Sequence, residues 1–97
     1  MIIEELYTEM VAAHLKADHH SAQWRKRKEW LTRYCARNHY SEHQKRSKMS
    51  TDYALSDAMD AYKWWRDEEN RLNAALQTEI MLEERRRLQA LRQAKGT

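Results

Sequence analysis

Up to Lys95 the chain contains no proline and no glycine; its one glycine is Gly96. A β-fold of 97 residues needs several tight turns, and tight turns draw on glycine, proline and asparagine. What fills the chain instead is Ala, Leu, Glu, Arg, Lys, Gln and Met, the residues that lose least on entering a helix. The sequence therefore predicts an all-α protein of one domain, 1–97, built from very few and very long elements.

Apolar spacing places those elements. Ile3, Met10, Ala17, Trp24 and Leu31 stand seven apart, with Leu6 and Ala13 between the first of them, a coiled-coil-like stripe. Tyr7, Val11 and Leu15 widen the apolar surface near the N-terminus. A helix over about 2–37 would be roughly 54 Å long. In the second half, Leu55, Ala58, Tyr62, Trp65, Glu69, Leu72 and Leu76 alternate steps of three and four, and Ile80 and Leu91 follow at a spacing of eleven. That pattern predicts a helix over about 51–94.

Punctuation is confined to 38–52. Asn38 is the natural residue to end the first helix in the left-handed conformation. Ser41 and Gln44 have the form of a capping box, which predicts a short helix over about 42–48. Ser50 and Thr51, with Asp52 behind them, suit the next helix start.

Charge is segregated along the chain: net −3 over 1–23, +7 over 24–48, −6 over 49–84 and +5 over 85–97. An antiparallel hairpin turning near Gln44 would pair positions whose numbers sum to about 88. It would set Trp24 against Trp64 and Trp65, Leu31 against Ala58, Ala17 against Leu72, and Met10 against Leu76 and Ile80. The basic stretch would then lie along the acidic 52–69, with Glu4, Glu5 and Glu9 near Arg85, Arg86 and Arg87. Apolar seam and charge agree on this register. The expected fold is a long antiparallel helical hairpin with a short helix in the connection.

Two packed helices have one seam, and the aromatic residues exceed it. Trp64 and Trp65 sit about 100° apart on a helix, so one seam cannot take both. Trp30, Trp64, Trp65 and Tyr40 are the expected partner-binding residues, and dimerisation into a four-helix bundle is the economical way to cover them. A helical protein partner is the other way.

The competing expectation is a nucleic-acid-binding module using Arg25, Lys26, Arg27, Lys28, Arg33, Arg37, Lys45, Arg46 and Lys48. Basic residues interleaved with aromatics are the electrostatic footprint of such binding. Lys45 and Lys48 occupy positions that a recognition helix would need apolar. Cys35, His39 and His43 stand four apart, a spacing that could stack zinc ligands on an unbroken helix, but Asn38 and Ser41 interrupt it and no fourth ligand is evident. No phosphate loop, nucleophile elbow or HExxH is present, so no cofactor, metal or catalytic residue is expected and the protein is read as no enzyme. The longest apolar run is Met10–Ala13, far short of a membrane span, and the N-terminus lacks the shape of a signal peptide. With a single cysteine, the expected location is cytoplasmic. The aromatic surplus makes a small helical protein that binds or inhibits another protein the expected function, with the general look, carried by no motif, of the accessory proteins of phages and mobile elements.

Overall fold

The computed structural model describes residues 2–96. They form three helices in the order α1 (Ile2–Arg37), α2 (Glu42–Ser50) and α3 (Tyr53–Gly96), with no strand among them. The molecule measures 82 × 20 × 15 Å, and its radius of gyration of 22.7 Å far exceeds the roughly 12.5 Å of a compact chain of this length. α1 packs lengthwise against α3, so the predicted all-α helical hairpin is what forms.

The chain reverses in four residues. Tyr40 N–H donates to the Cys35 carbonyl at 3.0 Å and His39 N–H to the Ala36 carbonyl at 3.2 Å, the paired bonds of a Schellman motif. Its left-handed residue is His39, with φ 52, and not Asn38. Asn38 instead turns its side-chain amide back onto the Tyr34 carbonyl at 2.8 Å. α2 then starts on the predicted capping box. Gln44 N–H donates to Ser41 Oγ at 3.2 Å, and the Gln44 side chain accepts from Ser41 N–H at 2.8 Å.

The start of α3 also differs from expectation. The Ser50 and Thr51 hydroxyls donate to the Ser47 carbonyl and so close α2. Asp52 is the residue that opens α3, its Oδ2 accepting Leu55 N–H at 2.9 Å.

The hairpin register is shifted from the expected one. Contacts between the arms join His14 to Glu69, Lys16 to Trp65, Arg27 to Asp52 and Tyr34 to Lys48. These numbers sum to between 79 and 83, not 88. The reason lies in the turn: the chain reverses at 38–41, so α2 is the first stretch of the returning arm. Trp24 accordingly lies near the level of Ala58, not against Trp64 and Trp65, and the other pairings expected from a sum of 88 shift likewise. Glu9 acts on Arg71, raising its pKa together with the larger effect of Glu68. Arg85–Arg87 fall beyond Glu4, Glu5 and Glu9, and Arg86 pairs with Glu83 of its own helix at 3.6 Å. Every described residue from Glu84 onward is exposed, so the end of α3 projects past the start of α1.

The core is thin. Among the described residues, Ala13, Ala17, Leu31, Cys35, Ala58, Leu72 and Leu76 are buried, and Leu31 is the one large side chain fully enclosed. Among the described residues, no helix is long and apolar enough to cross a membrane.

Candidate functional site

Lys16, Arg27 and Tyr34 follow one another at steps of eleven and seven, which places them on one face of α1. Each anchors an aromatic residue on the same flank of the α1–α3 seam. Near the closed end, Trp30 stacks on Tyr34 with ring centroids 5.4 Å apart and planes 18° from parallel. The Arg27 guanidinium lies 4.5 Å from the centre of the Trp30 ring, and Tyr40 meets Tyr34 edge-on at 5.9 Å. Lys48 of α2 stands 5.2 Å over Tyr34. Lower on the flank, Lys16 stands 4.1 Å over Trp65, whose ring meets Trp64 edge-on at 4.6 Å.

These contacts fix the aromatics without covering them. Trp30 remains 45% exposed and Trp64 58% exposed, while Trp65 and Tyr40 are half-buried. All four expected partner-binding residues therefore lie in two clusters on one flank. A shallow depression between the clusters is lined by residues that include His20, Gln23 and Lys26 of α1 and Ala54, Asp57 and Ala61 of α3.

Arg27 does more than stack. Its Nε donates to Asp52 Oδ2 at 2.9 Å and a terminal nitrogen to Oδ1 at 2.7 Å. The Arg27 hydrogen bond, helped by Leu55 N–H and the charge of Lys48, holds the Asp52 carboxyl at about 2 against the opposing effect of burial. In return the Arg27 pKa rises. Arg27 is thus engaged inside the hairpin.

The rest of the basic segment is not answered as the charge pattern suggested. Among the described residues, the ion pair between arms is Arg27–Asp52, and His14 Nδ1 lies within hydrogen-bond distance of Glu69 Oε2 at 2.7 Å. Arg25, Lys26, Arg33, Arg37 and Arg46 are exposed and outside any ion pair; Lys45 is half-buried. Lys28 lies 4.8 Å over Trp24 on its own helix. Lys26, Trp30, Arg33 and Arg37 share one outer stripe of α1, at steps of four, three and four. The acidic face of α3 is satisfied largely within its own helix, by Arg66 to Glu69 and by Arg71 to Glu68.

Cys35, His39 and His43 do not converge: Cys35 is buried in α1, His39 occupies the turn and His43 is exposed on α2. Among the described residues no group of three or more metal-binding side chains gathers at one point. Sequence reasoning missed the role of Lys16 and the depression beside Ala54, Ala58 and Ala61. The signals were there, in a lysine eleven residues before Arg27 and three alanines at helical spacing. Compared with known protein families, curated proteins and solved structures, the chain matches none of them.

Proposed function

We propose that this chain is a non-enzymatic helical interaction protein whose aromatic flank is covered by a protein partner. The observation that carries the reading is an excess of surface. A compact protein of 11.8 kDa exposes about 5,900 Å², whereas this chain exposes 7890 Å². The surplus, roughly 2,000 Å², is what one side of a large, permanent protein interface covers. Trp30 and Trp64 supply the anchors, being large, held in place by neighbours and solvent-facing, which are the properties of interface hot spots.

The test compares what the wild-type chain retains, itself or another protein, with what Trp30→Ser/Trp64→Ser retains. Both substitutions are at exposed positions, so helicity by circular dichroism stays unchanged while the retained partner is lost. A wild-type chain that retains neither a second copy nor another protein overturns the reading.

A second reading is supported by the unpaired basic stripe. Lys26, Arg33 and Arg37 face solvent on the stripe of α1 that carries Trp30, with Arg25 and Arg46 exposed elsewhere at the same end, an arrangement suited to the phosphates of a nucleic acid, with an aromatic for a base. A fluorescence titration with a labelled duplex and a labelled single strand at two salt concentrations decides it. Phosphate binding weakens steeply with salt, and absence of binding at low salt removes this reading.

A further inference from the structure

The two aromatic clusters are placed symmetrically about one level of the hairpin. Trp30 is seven residues above Gln23 on α1, and Lys16, which carries the Trp65–Trp64 pair, is seven below. Each cluster is therefore about 10 Å along the axis from Gln23. The depression beside Gln23 brings in Ala54, Asp57 and Ala58 of α3 at this same level. A half-turn about a line across the hairpin at Gln23–Asp57 exchanges the levels of the two clusters.

Charge follows the same symmetry. Above that level lies the basic segment, net +7 over 24–48, with all but Arg27 free of cross-arm ion pairs. Below it, 1–23 is net −3 and 58–72 net −1, counting Lys16, Lys63, Arg66 and Arg71 against the acids, while Asp52 and Asp57 above it bring the closed end to net +5. Two copies stacked head to tail on the aromatic flank set the basic end of each against the acidic middle of the other. Stacked head to head they would set the basic ends together.

We infer that the aromatic flank is a self-complementary interface. A second copy of this chain docks on it, antiparallel, with the two-fold axis crossing the hairpin at Gln23 and Asp57. This rests on the interaction reading and names its partner. A permanent homodimer needs about 1,000 Å² or more from each copy, and the excess of roughly 2,000 Å² over a compact chain is large enough to include it. The four stacked helices then share one interior, with Trp30 of each copy over the region of the other around Ala12 and Lys16.

Residues on a two-fold axis meet their own copies, and this gives the test. Asp57→Cys and Gln23→Cys, both at exposed positions, are made separately with Cys35 replaced by alanine so that the new thiol is the only one. Light scattering on the wild-type chain should give twice the chain mass. Each variant, folded by circular dichroism, should cross-link to itself under mild oxidation. Trp30→Ala should weaken the dimer at least tenfold.

A dimer in which neither variant cross-links to itself, or in which Gln23→Cys joins only Asp57→Cys in a mixture, overturns the inference and leaves the interaction reading standing. A chain that is monomeric at every concentration overturns it too. In that case retention of a foreign protein preserves the broader reading, and retention of nothing removes both.

Discussion

Arg27 and Asp52 meet through two hydrogen bonds across the seam, and Asp52 at the same time caps the first turn of α3. One carboxylate thus fixes where the returning helix begins and at what height on α1 it begins. Asp52→Ala removes the two bonds from Arg27 and the one from Leu55 N–H. The lost cap alone should cost about 0.5–2 kcal/mol, read as a lower midpoint in urea. Asp52→Asn keeps an acceptor for Leu55 N–H and should lose less.

The same pair predicts the response to acid. The folded-state pKa of Asp52, about 2, lies below its unfolded value, so below pH 4 the unfolded chain binds the proton more readily. The stability it contributes is complete above the unfolded pKa and lost as pH falls through about 2. Glu68, lowered by its hydrogen bond with Arg71, acts in the same direction. Thermal melting followed at pH 7, 4 and 2 should fall chiefly over the last interval, and Asp52→Asn should flatten that fall.

Among the described residues, Leu31 is the one large side chain with no exposure. In so thin a core, Leu31→Ala should cost about 2–5 kcal/mol, and the cavity left there has few neighbours that can close it. Trp64→Ala, at an exposed position, should cost far less in a monomeric preparation. Chemical denaturation of the two variants side by side checks the contrast.

His39 holds a left-handed backbone conformation that costs a side-chain-bearing residue about 1–2 kcal/mol and costs glycine little. His39→Gly should raise the melting temperature. Ser41→Ala, two residues on, should lower it by breaking the capping box, at about 0.5–2 kcal/mol. Opposite signs from neighbouring sites would show that the geometry of the turn, and not its mere length, sets its contribution to stability.

Removing Gln89 to Thr97 should leave the urea midpoint within about 0.5 kcal/mol of wild type, because the described residues of that stretch are exposed. A larger loss would mean that the projecting end is covered in solution.

The helices were legible because nothing in the sequence competes with them. Without proline or an internal glycine, apolar spacing alone set α1, and the Ser41–Gln44 box set α2. The register was not legible, and the reason is specific. Repeating stripes of Ala, Leu and Trp tolerate a slip of one or two turns, so the pairing depends on where the chain reverses. That point was decided by His39, a residue with weaker left-handed preference than Asn38 beside it, and by Asp52, whose partner Arg27 is 25 positions away. Trp30, Trp64, Trp65 and Tyr40 were legible as a surplus, but their gathering on one flank needed the corrected register. The neutralisation of the basic segment by α3 was read from net charge, which does not record that Arg66 and Arg71 reach the acids of their own helix first.

The projecting end of α3 has a consequence for how order is distributed along the molecule. Starting a helix is the costly step, and extending one already started adds about one bond per residue fixed. The turns past Arg87 lie exposed beyond Ile2 of α1, so they are wound by continuation from the paired section. Their protection against hydrogen exchange should decay steadily toward Gly96 and vanish if α3 is interrupted near Leu82. A ligand that grips this end would not need to fold it, only to stop it from fraying.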